Sequence, residues 1–242
     1  MRVALVETDT AWEDPAANRA RVEAALPDAD VAVFPELAFS GFTMAPRIDR
    51  DAEPFLRDLA KRRRMHLVAG YVGEGPTNVS VCVAPDGSVL ARYAKLHPFT
   101  FAGESAHYRR GNELPVFPLL GFRASLFVCY DLRFPEAFRD AALRGSDLFF
   151  VIANWPDLRI AHWRTLLQAR AIENQAYAVG VNRVGDDPGH HYPGGSLAVD
   201  PLGAILLEGA GTVALDATAP ARLREKFPAL EDVRTDRYTL AP

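Results

Sequence analysis

The sequence predicts an α/β protein in which two mixed sheets pack together with helices outside them. Up to residue 71 the predicted elements run β-α-β-α-β, an order that favours sheets covered by helices. From residue 78 onward the pattern includes hairpins, which are typical of antiparallel pairing. No linker, low-complexity stretch, composition shift or repeat divides the chain, so we expect one domain over residues 1–242.

The β-α-β-α-β segment begins with a short apolar run at residues 3–6. Asp14 and Pro15 are typical of an N-cap followed by proline at the first helical position, so we predict a helix from there to about residue 26. The remaining elements of this segment, in chain order, are a strand at 31–34, a helix at 54–64 and a strand at 67–71.

The rest of the chain continues with strands and two longer helices. Pro85-Asp86-Gly87-Ser88 predicts a hairpin turn between strands at 78–84 and 89–94. A helix at 161–174 is indicated by a core-facing stripe of Trp163, Leu166, Leu167 and Ala171 at helical spacing. The other predicted elements, in chain order, are a strand at 124–128, a helix at 135–144 and strands at 148–152, 178–182, 197–199 and 204–207.

Composition excludes several classes of protein. The net charge of −4 gives no basis for a nucleic-acid-binding surface. Two cysteines cannot build a disulfide framework, and no Cys/His spacing resembles a metal site. The longest wholly apolar run, residues 148–153, is far too short to span a bilayer. We therefore expect a cytoplasmic protein with no metal and no membrane partner. The common phosphate-loop, dinucleotide, zinc-protease and serine-hydrolase motifs are also missing from the sequence.

Three reactive side chains follow directly after apolar strands: Glu36, Lys95 and Cys129. Strand ends are where sheet enzymes present reactive groups to a crevice. A carboxylate can take the proton of a thiol and an ammonium can stabilise the anions that form, so the three are chemically sufficient for acyl transfer. Residue types alone leave the alternatives open, namely a cysteine that only packs and a solvated glutamate and lysine.

Around these residues the sequence closely resembles the nitrilase superfamily of carbon–nitrogen hydrolases. The resemblance implies a four-layer α-β-β-α sandwich, in agreement with the predicted elements. The matching segments occur in family order and are Phe34-Pro35-Glu36-Leu37, Tyr93-Ala94-Lys95-Leu96-His97, Val128-Cys129-Tyr130-Asp131-Leu132-Arg133-Phe134-Pro135-Glu136, Ala153-Asn154-Trp155-Pro156 and Gln168-Ala169-Arg170-Ala171-Ile172-Glu173-Asn174-Gln175.

The resemblance also implies catalytic roles. Glu36 would be the general base, Cys129 the nucleophile that forms a thioester, and Lys95 the group that stabilises the tetrahedral intermediate. The backbone N–H of Tyr130 would be a second oxyanion donor. Glu104, expected in a loop near the substrate, would position groups and assist proton transfer. The chemistry implied in this way needs no cofactor.

Within the superfamily, the nucleophile motif and the Ala-Ile-Glu-Asn-Gln-Ala-Tyr segment look like those of the omega-amidase group. Those enzymes hydrolyse the terminal amide of 2-oxo dicarboxylate monoamides such as 2-oxoglutaramate and 2-oxosuccinamate. The alternatives are a deaminated-glutathione amidase, a carbamoylase, a nitrilase, or a catalytically silent binding protein on the same fold. Family members commonly self-associate, so the resemblance also implies a homodimer or larger homo-oligomer.

Arg133, Asn154 and Trp155 are the candidates for substrate binding. Arg133 lies four residues beyond Cys129, and an arginine can bind a carboxylate through two parallel hydrogen bonds. The alternative is that Arg133 braces its loop through an ion pair with Asp131 or Glu136. Asn154 and Trp155 follow a buried strand, where they would form a wall of the site, although a lone tryptophan more often belongs to a core.

Overall fold

Two six-stranded mixed sheets form the centre of the protein in the computed structural model, which describes residues 1–237. The strands, in chain order, are β1 (Arg2–Leu5), β2 (Val31–Val33), β3 (His66–Gly73), β4 (Thr77–Val83), β5 (Val89–Ala94), β6 (Phe117–Leu119), β7 (Phe122–Val128), β8 (Leu148–Ala153), β9 (Tyr177–Asn182), β10 (Val184–Asp186), β11 (His191–Pro193), β12 (Leu197–Val199), β13 (Ile205–Glu208) and β14 (Gly211–Ala214). The helices are α1 (Pro15–Ala24), α2 (Ala52–Arg63), α3 (Glu104–His107), α4 (Pro135–Leu143), α5 (Ile160–Asn174) and α6 (Ala219–Lys226).

The first sheet has the strand order β14-β1-β2-β3-β4-β5 and the second has the order β13-β12-β9-β8-β7-β6. The centre of each sheet is parallel, through β1, β2 and β3 in one and β7, β8 and β9 in the other. Hairpin strands extend both sheets in antiparallel fashion, and β10 and β11 form a separate small ribbon. The predicted pair of mixed sheets is therefore confirmed.

The burial pattern along the strands explains why the sheets stack. Successive side chains of a strand point to opposite faces of its sheet. In β8, Phe150 and Ile152 pack between the two sheets, whereas Phe149 and Val151 pack under α4 and α5. The first sheet has the same arrangement beneath α1 and α2. With both faces of both sheets buried, the layers follow the predicted α-β-β-α order.

The predicted elements lie where expected, with shifts of a few residues at their ends. Asp14 caps α1, since its carboxylate accepts a hydrogen bond from Ala17 N at 3.0 Å. In α5, Trp163, Leu167 and Ala171 are fully buried and Leu166 is half-buried. The prediction missed some elements, namely β6, β10, β11, β14, α3 and α6. None of the helices within residues 1–237 is long and apolar enough to cross a membrane.

The last of the missed strands, β14, pairs with the first strand of the chain, β1. β14 lies at the edge of the first sheet, antiparallel to β1, whereas β13 immediately before it lies at the edge of the second sheet. Beyond β14, the Met1 amino group donates to the Leu215 carbonyl and Leu215 N donates to the Met1 carbonyl, at 3.1 and 2.8 Å. The segment from β13 to Leu215 thus connects the two sheets and binds the N-terminal residue.

Cys82 of β4 is fully buried in the apolar layer between the sheets. Burial raises the pKa of its thiol from an ordinary 9.0 to about 12.

The raised pKa of Cys82 makes the stability of the protein depend on pH. As the pH rises, the thiol loses its proton in the unfolded chain before it does so in the folded protein. The free energy of unfolding is therefore unaffected below pH 9 and decreases as the pH rises from 9 towards 12. We expect a decrease of up to about 1.4 kcal/mol per pH unit from this group. Urea unfolding at pH 8 and pH 10.5 measures it, and the Cys82→Ala variant should show a shallower decrease. Equal decreases in both proteins would contradict the prediction.

Candidate active site

The site forms where four strands end, two from each sheet. Glu36 follows β2 and Lys95 follows β5 on the first sheet, whereas Cys129 follows β7 and Asn154 follows β8 on the second. The structure brings these side chains together in the interior, because Glu36 contacts both Lys95 and Asn154. The site is thus assembled across the two sheets.

A buried cluster of charges occupies the first-sheet side. The Lys95 ammonium donates to Glu36 Oε1 at 2.9 Å and to Glu104 Oε2 at 2.8 Å. All three side chains are at most 1% exposed. Burial alone would lower the pKa of Lys95, but the Glu36 and Glu104 carboxylates outweigh it and hold the pKa above its ordinary value. The ammonium is therefore a permanent positive charge between two carboxylates.

Glu104 does not lie in a loop as expected, because it is the first residue of α3. Its carboxylate also accepts from Phe99 N at 2.6 Å, which ties the segment before α3 to the charge cluster. The pattern of the sequence does not single out Glu104 as a buried residue, since a single glutamate after Gly103 resembles ordinary surface sequence.

Asn78 of β4 is a further member of the cluster, and the sequence analysis missed it. Its amide Nδ2 donates to Glu36 Oε1 at 2.7 Å and to Glu104 Oε1 at 2.9 Å. One fully buried amide thus bridges the two carboxylates and fixes their separation. An asparagine near the start of a hairpin strand carries no sequence signal for such a role, because only the folded sheet brings it beside both glutamates.

The second oxygen of Glu36 is held from the other sheet. Asn154 N donates to Glu36 Oε2 at 2.9 Å, and Asn154 Nδ2 donates to the Glu36 carbonyl at 2.9 Å. On the opposite side β3 approaches closely at Gly70, where a Cβ atom would lie 2.5 Å from Leu37 N and 2.8 Å from Glu36 Cα. Only glycine allows this approach. Glu36 is therefore fixed in position through both its side chain and its backbone.

Cys129 begins the 3₁₀ turn Cys129–Arg133 with a φ of +46°, a left-handed conformation that non-glycine residues rarely adopt. Such backbone strain is concentrated at functional sites. Its Sγ lies 3.8 Å from the Asn154 carbonyl. Burial and the Glu36 carboxylate raise the pKa of the thiol well above its ordinary value, with Lys95 opposing them. The resting group is a thiol beside a carboxylate.

Asp131 ties the cysteine turn to the lysine segment. Its Oδ2 accepts from Tyr93 Oη at 2.8 Å and from Val128 N at 2.9 Å, and its Oδ1 accepts from His97 N at 3.0 Å. Tyr93 and His97 flank Lys95 at a distance of two residues on either side. The fully buried Asp131 carboxylate therefore fixes how far Lys95 lies from Cys129.

A small cavity of about 30 Å³, room for about two water molecules, opens beside the nucleophile. Cys129, Tyr130, Arg133, Asn154 and Trp155 all line it, so the structure places these predicted residues around one space. The remaining lining residues, which the sequence analysis did not single out, are Phe42, Phe99, Ala102, Pro156, Arg159, His190 and Tyr192.

Arg133 forms neither of the ion pairs considered from the sequence, as far as residues 1–237 show. The Asp131 carboxylate is occupied as described above, and the Arg133 guanidinium lies 4.9 Å from the Trp155 ring centroid, with Nη2 3.3 Å from His162 Nδ1. Trp155 belongs both to the core and to the cavity wall, since it is 3% exposed. No group of His, Cys, Asp and Glu side chains in the described part of the chain is arranged to hold a metal ion.

The chain is similar to solved structures and to curated proteins over nearly its whole length. A carbon–nitrogen hydrolase superfamily protein of Xanthomonas campestris, with an arsenic adduct in its active site, superposes with a TM-score of 0.89 at 34% identity and covers 100% of this chain and 99% of its own. An amidase from Nesterenkonia sp. gives a TM-score of 0.86 at 29% identity over 98% of this chain and 94% of its own.

Among curated proteins, an omega-amidase of Yersinia enterocolitica is 39% identical over 99% of this chain and 98% of its own length. A 2-oxoglutaramate amidase of Bacillus subtilis is 33% identical over 98% of both. The family model for carbon-nitrogen hydrolase matches residues 2–217. The match over residues 2–217 and the identity to these relatives show that the chain belongs to the carbon–nitrogen hydrolase family.

Proposed function

We propose that this carbon–nitrogen hydrolase is an omega-amidase, which hydrolyses the terminal amide of small dicarboxylate monoamides of the 2-oxoglutaramate and 2-oxosuccinamate type. The observation that carries the proposal is the buried, hydrogen-bonded cluster of Glu36, Lys95 and Glu104, which Asn154 links to the cavity beside Cys129. The similarity to an omega-amidase and to a 2-oxoglutaramate amidase over nearly the full chain supports the substrate class.

In the first half of the proposed reaction, Glu36 takes the thiol proton as Cys129 Sγ bonds to the amide carbon. The carbonyl π electrons move to oxygen, and this oxyanion is stabilised by the Lys95 ammonium and the Tyr130 N–H. Glu36 then delivers its proton to the amide nitrogen, the C–N bond breaks, and ammonia leaves. The acyl group remains on Cys129 as a thioester.

The second half regenerates the enzyme. Glu36 takes a proton from water as the water oxygen bonds to the thioester carbon, and the same two donors stabilise the second oxyanion. The C–S bond breaks, the carboxylic acid leaves, and the proton on Glu36 returns to the thiolate. Glu104 stays beside Lys95 throughout and supports the proton transfers. Because the resting thiol has a raised pKa, the base must act at the moment of attack.

Ammonia release from a panel of compounds tests the proposal. We expect turnover of dicarboxylate monoamides to exceed that of simple aliphatic amides, N-carbamoyl amino acids and nitriles. It should also exceed that of deaminated glutathione, whose hydrolysis releases a dipeptide amine instead of ammonia and is followed through that amine. A carbamoyl substrate would also release carbon dioxide, which separates carbamoylase activity. Preference for any other compound of the panel would contradict the proposed substrate class, and no turnover of any compound would contradict the activity.

Arg133 is the proposed partner of the distal carboxylate, since its guanidinium lines the cavity without an ion pair inside residues 1–237. Losing one partner of a desolvated charge pair costs about 2–5 kcal/mol. We therefore expect Arg133→Ala to reduce kcat/KM for an acid-bearing monoamide by about 30- to 4,000-fold relative to its neutral analogue. Arg133→Lys should also be impaired, because an ammonium lacks the planar fork.

Steady-state kinetics on the acid-bearing monoamide and the neutral analogue, in the wild type and both variants, measure this effect. Equal losses on both substrates together with a lowered Tm would assign Arg133 to bracing the loop instead.

A cytoplasmic location and self-association as a homodimer or larger assembly belong to the same proposal. The family resemblance supports the self-association, and the cytoplasmic location is the expectation drawn above from the composition of the sequence.

A further inference from the structure

The cavity contains a second arginine that the proposed reaction does not use. Arg159 ends the 3₁₀ turn Asp157–Arg159 and lines the cavity together with Cys129 and Arg133. Its guanidinium lies 5.5 Å from the Phe99 ring centroid. Within residues 1–237 the Arg159 side chain forms neither a hydrogen bond nor an ion pair, so its N–H groups are available to a ligand.

Trp155 contacts both arginines, the side chain of Arg133 and the backbone of Arg159. Arg133 lies over its indole ring, and the indole Nε1 donates to the Arg159 carbonyl at 2.8 Å. The tryptophan is itself nearly fully buried and packs against Trp163 with ring centroids 5.5 Å apart. Because Trp155 is fixed by the core, it holds the backbone of one arginine and the side chain of the other.

The charge of the cavity lining is unbalanced. The cavity lining includes two guanidiniums and no carboxylate. A carboxylate uses the two parallel N–H groups of one guanidinium. The second guanidinium is then free to donate to another acceptor oxygen near that carboxylate. It would repel a cation in the position of that oxygen.

A 2-oxo acid matches this lining, since its carbonyl oxygen lies on the carbon next to the carboxylate. An α-amino acid places an ammonium there, and a plain dicarboxylate monoamide places only hydrogens. We propose that Arg159 is a specificity-determining residue that binds the 2-oxo oxygen of the substrate and disfavours α-ammonium groups. This inference rests on the proposed function and assigns a further residue to it.

The test compares kcat/KM for 2-oxoglutaramate, for glutaramate, which lacks the oxo group, and for glutamine, which has an ammonium in its place. We expect the wild type to prefer them in that order. A hydrogen bond from a charged donor corresponds to about ten- to a hundredfold in rate or binding, so Arg159→Ala should reduce the ratio of 2-oxoglutaramate to glutaramate by that factor. Arg164→Ala, which removes an exposed arginine of α5 that pairs with Glu208 of β13, is the matched control and should leave the ratio unchanged.

A binding measurement keeps this inference separate from the proposed activity. Calorimetry with 2-oxoglutarate and with glutarate reports the same discrimination without turnover, and Arg159→Ala should weaken the first by about ten- to a hundredfold more than the second. If no monoamide is hydrolysed but this difference is found, the proposed activity fails and the Arg159 inference stands. If monoamides are hydrolysed but Arg159→Ala reduces all substrates and both ligands equally, the Arg159 inference is overturned.

Discussion

Replacing Cys129 with alanine is expected to abolish turnover while leaving the fold intact. The substitution removes the only sulfur at the end of β7 and with it the thioester. In hydrolases that use a nucleophile and base as a unit, loss of the nucleophile reduces kcat by on the order of 10⁴–10⁶-fold. Ammonia release under saturating substrate measures the loss, and the Tm should stay close to that of the wild type.

Cys82→Ala is the matched control, because it makes the same cysteine-to-alanine change at a position outside the site. Cys82 lies between the sheets, so this variant should lose some stability and keep its turnover. If Cys82→Ala were inactive and Cys129→Ala active, the nucleophile would be wrongly assigned.

Replacing Glu36 with glutamine should have the next largest effect. The amide has nearly the same shape but cannot accept the thiol proton, and loss of general-base catalysis typically costs about 10²–10⁴-fold in rate. In the wild type, one oxygen of Glu36 accepts hydrogen bonds from Lys95 and Asn78 and the other accepts from Asn154. The NH₂ group of the glutamine would replace one of these acceptors and face a donor, so a hydrogen bond would be lost. We therefore expect a lower Tm together with slow acylation.

Single-turnover kinetics at a temperature well below the Tm separate these two effects. Glu225→Gln, which changes an exposed carboxylate on α6, is the control and should behave as the wild type. Undiminished acylation in folded Glu36→Gln would remove Glu36 from the mechanism.

The central strands and the reactive side chains that follow them can be predicted from the sequence, because a fully buried strand requires a continuous apolar run. Cys129 and Glu36 both stand out at the ends of such runs. Asn78 and Arg159 do not, since their importance comes from neighbours that are distant in sequence. β14 was missed for the same reason: it is short and partly exposed, and its partner β1 lies at the other end of the chain.

The position of β14 also determines the order in which the protein can fold during its synthesis. Five of the six strands of the first sheet lie within the first 94 residues, but β14, which lies beside β1, begins only at Gly211. Until then β1 has an unpaired edge, and pairings between distant segments form slowly. A nascent chain that has not yet reached residue 211 therefore lacks one side of the sheet that carries Glu36 and Lys95. We expect the first sheet to be complete only once residues 211–214 have been made, and chaperones to be needed most before that point.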